Sequence, residues 1–175
     1  AAGGVGLLAG QWLNALGATV IGTAGGAEKC ALAKANCYHH VIDYTSTDFE
    51  AEVMRLTDGK GVDVTYDSVG NDTMARSLTS TRRHGTIIAF GQSSGAYLDF
   101  KISDLAKGSY KLSRPTLFHF VGERDWLEAN SAKLFTAVTD GPVDISINQK
   151  FPLADVAKAH DALTGRATTG STILT

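Results

Sequence analysis

The first six residues constrain this chain most. Ala1-Ala2-Gly3-Gly4-Val5-Gly6 is a glycine-rich turn, and apolar residues then recur at Val5, Leu8, Trp12 and Leu16, the spacing of one helical face. Gly17 ends that pattern where a C-terminal glycine belongs. The glycines therefore stand at a helix N-terminus, where free backbone N–H groups and the positive end of the helix dipole favour an anion. Their spacing is that of the dinucleotide fingerprint with alanine in place of the first glycine. Without a Cβ, Gly3 lets the backbone approach a pyrophosphate closely, and Gly6 lets the helix pack tightly on a sheet. The competing reading is a turn that serves packing alone.

The chain that follows alternates between two periods. Thr19-Val20-Ile21 predicts a strand, Gly22 to Gly26 a loop, and Ala27 to Ala35 a helix. The unit recurs as a strand over Val41 to Tyr44 with a helix carrying Phe49, Val53 and Leu56 on one face. It recurs again as Val62 to Tyr66 with a helix carrying Met74 and Leu78, and a strand over Thr86 to Phe90 closes the series. Parallel neighbours need long crossovers that helices fill, so the expected fold is α/β, a Rossmann-type doubly wound parallel sheet. Such a fold places its first central strand directly before the glycine turn. No such strand stands ahead of Gly3, so the sheet is expected to lack it and further chain is expected upstream.

Beyond Phe90 the pattern predicts a short helix over Ile102 to Lys107 and an edge strand within Pro115-Thr116-Leu117-Phe118-His119-Phe120. An exposed apolar edge is a liability, so a second subunit is expected to cover it and make a homodimer. A helix over Trp126 to Val138 ends at Asp140-Gly141-Pro142, the strongest break in the chain. We therefore expect a nucleotide-binding domain over residues 1–140 and a separate C-terminal segment over residues 141–175. That segment reads as a strand over Ile145 to Lys150, a helix with Val156, His160 and Leu163 on one face, and a strand over Ser171 to Leu174.

Cofactor preference is read from the loop after the second expected strand. Sites that prefer NAD place an acidic residue there to hold the ribose 2′-hydroxyl. This chain has Gly22-Thr23-Ala24-Gly25-Gly26, then Glu28 and Lys29. Thr23 and Lys29 thus become candidates for a 2′-phosphate, and NADP preference follows. Lys29 as an ordinary helix-surface lysine remains the alternative. Tyr44 ends its strand where its hydroxyl is able to reach the same phosphate, although a half-buried core tyrosine explains it equally. Two further groups lie just past the carboxyl ends of strands, where ligands bind in open α/β sheets: Ser68 and Val69 in Asp67-Ser68-Val69-Gly70, and Phe90, Gly91 and Ser93 in Phe90-Gly91-Gln92-Ser93-Ser94. Plain turn chemistry accounts for these residue types just as well.

Other residues point away from chemistry. Adjacent His39 and His40 face opposite sides of a strand and cannot chelate one ion together. His160 reads as a hydrogen-bonded core histidine, and Arg82 and Arg83 as cations at a helix end. No catalytic residue and no metal ligand is assigned. A net charge of -2 argues against nucleic acid or an anionic membrane as partner, and no apolar run is long enough to cross a bilayer. Cys30 and Cys37 have neither disulfide-framework nor zinc spacing, which suits reduced thiols and a cytoplasmic protein.

Several stretches together resemble the quinone oxidoreductase, or zeta-crystallin-like, branch of the medium-chain dehydrogenase/reductase superfamily. They are Ala1 to Gly6, Tyr66-Asp67-Ser68-Val69-Gly70, Phe90 to Gly95, Ser113-Arg114-Pro115, Ala159-His160 and Gly165 to Gly170. The resemblance implies a zinc-independent enzyme that transfers a hydride from NADPH to a quinone. It implies Gly3, Gly4, Val5 and Gly6 at the pyrophosphate, Lys29 and Tyr44 at the 2′-phosphate, Phe90 and Ser93 at the nicotinamide end, and Arg166 as a late contact. It also implies that the segment after Gly141 returns to a catalytic domain whose larger part lies upstream, so that these residues alone bind cofactor weakly. An NADPH-dependent enoyl or haloacrylate-type alkene reductase, or a non-catalytic NADPH-binding crystallin-like protein, stands as the alternative.

Overall fold

A computed structural model describes all 175 residues. They form two compact units, one of Ala1–Thr47 with Glu128–Thr175 and one of Asp48–Leu127.

The first unit opens with α1 (Gly4–Ala15), then β1 (Ile21–Ala24), α2 (Ala27–Ala35) and β2 (His40–Asp43). β1 and β2 pair in parallel, Ile21 opposite His40 and Ala24 opposite Asp43. α2 falls where the sequence predicts it, whereas β1 begins at Ile21 and takes Gly22, Thr23 and Ala24 from the expected loop. The reason lies in the pairing: β2 supplies partners as far as Asp43, and backbone hydrogen bonding outweighs the turn tendency of the glycine. The expected buried face of α1 is also displaced. Val5 and Leu16 are exposed, and Leu7, Gly10 and Gln11 are the buried residues.

Tyr38 explains that displacement. Its ring packs with Val20 and Ala33 in the core of this unit. A Cβ on Gly10 would lie 2.3 Å from the ring, so α1 turns a glycine towards it. The Tyr38 hydroxyl donates to the Gly6 carbonyl at 2.8 Å, and burial pushes its pKa up to about 12.

The later chain of this unit includes β6 (Ile147–Phe151), α7 (Val156–Thr164) and β7 (Ser171–Leu174), with β6 and β7 parallel. Contrary to expectation, His160 is exposed and Ala159 is the buried residue of α7. α6 (Arg124–Thr139) extends the predicted helix by two residues at its start and one at its end, and the division between the units falls within it.

The second unit contains α3 (Phe49–Leu56), β3 (Val62–Asp67), α4 (Met74–Thr79), β4 (Thr81–Ala89), β5 (Lys111–Ser113) and α5 (Leu117–Val121). β3, β4 and β5 form a parallel sheet in that order. Its core is Met74, Leu78, Ile87 and Ala89, with Tyr97, Phe100, Leu105, Tyr110 and Leu112 packed against it. Asp48 caps α3 by accepting from the Glu50 N–H at 3.0 Å, and the 3-10 helix spans Ile102–Lys107 as expected.

Two expectations fail in this unit. Arg82 and Arg83 lie in β4 and not at a helix end, because the strand starts at Thr81. The register shift between Val62 and Val64 accommodates them, and Arg82 pairs with Asp63. The predicted edge strand over Pro115 to Phe120 is instead the short helix α5. Pro115 has no N–H to give a ladder, and the His119 N–H closes a turn onto the Thr116 carbonyl at 3.1 Å. The edges of this sheet are β3 and β5, so a second copy against Leu117 and Phe118 would meet a helix and not an open strand.

Candidate functional site

Within the first unit, the glycine turn forms the entry to α1. Gly3 is its N-cap in extended conformation, and no side chain caps the helix. Open space surrounds the position a Gly3 Cβ would take, as a site for a close anion requires. Gly6 has the opposite surroundings: a Cβ there would lie 2.4 Å from the Ala1 carbonyl oxygen. Gly3 thus leaves room on the outer side of the turn, and Gly6 permits close packing on the inner side. Val5 is exposed beside them. The segment leading into the helix lies along β1, with the Ala1 amine donating to the Thr23 carbonyl at 2.7 Å. Gly3 also forms a parallel bridge with Gly170, whose N–H donates to the Ala2 carbonyl at 3.0 Å.

A second group gathers after β1. Lys29 of α2 donates from its ammonium to the carbonyl of Arg166, 137 residues away in sequence. Arg166 holds a left-handed backbone, φ 56°, and its side chain is exposed. Tyr44 is half exposed, and its hydroxyl lies so near Gly25 that a Cβ there would approach it to 2.8 Å. The structure therefore brings Lys29 to Arg166 and Tyr44 to the Gly25 loop. Sequence reasoning missed one member of this neighbourhood. Asp43, the last residue of β2, accepts from the Gly26 N–H at 3.0 Å, the Thr45 N–H at 3.0 Å and the Thr45 hydroxyl at 2.6 Å. The Thr45 hydroxyl first, then the two N–H groups, hold this carboxyl below the usual aspartate range. A carboxylate does reach the loop, but from β2 and not from the end of β1, and one of its oxygens is taken up by three donors.

The second unit joins the two loops that follow β3 and β4. Ser93 donates its N–H to the Ser68 carbonyl at 3.2 Å, and Ser94 does the same to Val69 at 2.9 Å. The Ser94 hydroxyl reinforces this by donating to the Val69 carbonyl at 2.8 Å. Gly91 makes the close approach possible, since a Cβ there would lie 2.6 Å from the Ser68 carbonyl oxygen. Beneath the loops Asp67 is buried, with one oxygen accepting from the Val69 and Gly70 N–H groups and the other from the Thr73 and Ser77 hydroxyls. Ser68, Val69, Gly91 and Ser93 are thus neighbours. Phe90 meets Tyr66 edge to face, with ring centroids 6.5 Å apart.

Parallel strands joined by helices, with a glycine turn opening a helix, define a Rossmann-type nucleotide-binding domain. The chain belongs to the zinc-binding dehydrogenase family, whose model matches residues 4–132. It is 43% identical over 175 residues to a quinone oxidoreductase of Pseudomonas aeruginosa, covering 99% of this chain and 54% of that protein. It is 42% identical over 176 residues to a 2-haloacrylate reductase of a Burkholderia species, covering 99% of this chain and 53% of that protein. The crystal structure of Escherichia coli quinone oxidoreductase complexed with NADPH superposes with a TM-score of 0.94 at 41% identity, covering 99% of this chain and 54% of that one. The chain spans about half the length of these relatives. The resemblance to the quinone oxidoreductases is therefore borne out.

Although the family description names zinc, no group of three or more His, Cys, Asp or Glu residues in this chain is placed to hold a metal ion. No residue here is assigned to one. No helix is long and apolar enough to cross a membrane.

Proposed function

We propose that this chain is the nucleotide-binding part of an NADPH-dependent quinone oxidoreductase. The observation that carries the reading is the joint presence of an uncapped glycine turn and of Lys29 gathered with Arg166 beside the loop after β1. The first suits a pyrophosphate and the second a 2′-phosphate. Gly3, Gly4, Val5 and Gly6 hold the pyrophosphate through backbone N–H groups. Lys29, Tyr44, Arg166 and the Thr23 region receive the 2′-phosphate. Ser68, Val69, Phe90, Gly91 and Ser93 serve the nicotinamide end. The named complex of the E. coli relative with NADPH supports this choice of cofactor.

When bound, the reduced nicotinamide supplies the hydride, and the part of this chain is to bind and orient it. Zinc plays no part in the proposed reaction. Residues 141–175 are proposed to return to a catalytic domain formed mainly by upstream chain. Exposed Ile145, Ile147, Leu153 and Leu163 in that segment support this, because they offer an apolar surface for that domain to cover. The cytoplasm is the proposed compartment, in keeping with free Cys30 and Cys37. A second reading, reduction of a halogenated or otherwise electron-poor alkene, is favoured by the equally extensive match to the 2-haloacrylate reductase.

The test is turnover by the full-length protein with NADPH and a panel of quinones and activated alkenes. Quinone-dependent NADPH oxidation is expected. Tight NADPH binding with no oxidation by any acceptor overturns the enzyme reading, and oxidation by alkenes alone selects the second.

A further inference from the structure

One of the buried side chains with the most polar partners lies outside the glycine turn. Gln11, on α1, is 5% exposed. Its side-chain N–H groups lie 3.1 Å from the Leu7 carbonyl, 3.0 Å from the Asn36 side-chain oxygen and 3.1 Å from the Asp144 carbonyl. Its oxygen accepts from the Asp144 N–H at 2.7 Å. The pairing with Asp144 is reciprocal, one N–H given and one received, across 133 residues of sequence. An amide side chain does this with separate donor and acceptor atoms: an ionised carboxylate has no donor, and an apolar side chain of the same length has neither.

We propose that Gln11 is a positioning residue that sets the returning chain against the glycine turn. This rests on the NADPH reading above. Just after Asp144, the Ser146 carbonyl accepts from the Ser171 N–H at 2.8 Å. The neighbouring Gly170 N–H donates to Ala2, and Gly170 bridges Gly3. Arg166, four residues earlier, gives its carbonyl to Lys29. Gln11 thus anchors the start of a stretch whose far end supplies Gly170 to the turn and Arg166 to Lys29. Seven residues separate Gln11 from Gly4, which is roughly 10 Å along a helix, so Gln11 acts at the turn through this returning chain and not by contact. Losing it leaves the backbone groups of Asp144 without their partner and frees the segment that completes both phosphate contacts.

The experiment uses the full-length protein with Gln11→Met, Gln11→Glu, Arg166→Ala and the Gln11→Met/Arg166→Ala double variant. Amide hydrogen exchange without cofactor and calorimetric affinities for NADPH and NADH are measured on each. In Gln11→Met and Gln11→Glu, exchange at Asp144, Gly170 and Ser171 is expected to quicken by about 10-fold or more relative to amides of β3 and β4. NADPH affinity is expected to fall about 10-fold and NADH affinity less, with the penalty shrinking when Arg166 is already alanine. A uniform rise in exchange across the molecule, or equal losses for the two dinucleotides that add with Arg166→Ala, shows a merely structural role and overturns the proposal. Should neither variant fold, the wild-type protein still decides: Asp144 and Gly170 are expected to exchange through one common opening with the same denaturant dependence, and separate openings overturn it. If the wild type binds neither dinucleotide, the NADPH reading fails, while the exchange measurements still judge the anchoring by Gln11.

Discussion

Asp43 and Asp67 each end a parallel strand and each hold the loop that follows, yet they do so in opposite surroundings. Asp43 is only partly buried, and one of its oxygens gathers three donors from the Gly26 and Thr45 region. Asp67 is 4% exposed, and its two oxygens take two backbone N–H groups and two hydroxyls with no cation beside them. Water is able to replace the partners of the first and not those of the second. The loops after β3 and β4 are therefore held rigidly from beneath. The side proposed for phosphate leaves Gly3 and Val5 exposed and relies for stiffness on buried Tyr38 and Gln11.

The sharpest way to break this contrast is to remove the two carboxylates in turn. Asp67→Ala strands four donors in a buried place and is expected to cost on the order of 3 kcal/mol or more in chemical denaturation. Asp43→Ala is expected to move the thermal midpoint by no more than about 2 °C. Similar losses from both would dismiss the distinction.

A pH titration of stability probes the stiffness of the proposed phosphate side next. The folded pKa of Tyr38, about 12, lies above the ordinary tyrosine value near 10. Its protonated form is thus favoured by folding, and the contribution is complete below pH ~10 and lost as pH rises through about 12. That loss amounts to roughly 2–3 kcal/mol from a shift of this size. Tyr38→Phe is expected to flatten this alkaline limb, and a limb unchanged in the variant assigns it to another group.

A smaller effect is expected at the Lys29 cation. Lys29→Ala should reduce the preference for NADPH over NADH roughly 10-fold while leaving the urea midpoint nearly unchanged. An unaltered preference removes Lys29 from the phosphate site. Smallest of all, Asp43→Asn keeps a side-chain oxygen for the Gly26 N–H and should change NADPH affinity by no more than about 3-fold.

Local pattern carries much of this architecture. The limits of α2 and β7, the 3-10 helix at Ile102–Lys107 and the buried faces of α3 and α4 follow from apolar spacing and from neighbouring turn residues. Where partners lie far away in sequence, local pattern fails. Leu117 to Phe120 has strand-forming residues but no strand to pair with, so one helical turn after Pro115 is what forms. β5 is only three residues long and gains its identity from Ile87 and its neighbours in β4. Gln11 broke the expected apolar face of α1 because its partner is the Asp144 backbone. Among the candidate residues, the glycine turn, Lys29 and Tyr44 are proposed from residue type and position. Asp43 was hidden because its effect depends on reaching sideways from β2 to the Gly26 N–H.

Calorimetric titration of the full-length protein with NADPH and then NADH tests the account most directly. Binding of NADPH at least about 10-fold tighter is the predicted result, from Lys29 and Arg166, which are proposed to receive its extra phosphate. Equal affinity for the two dinucleotides, or heat from neither, contradicts it.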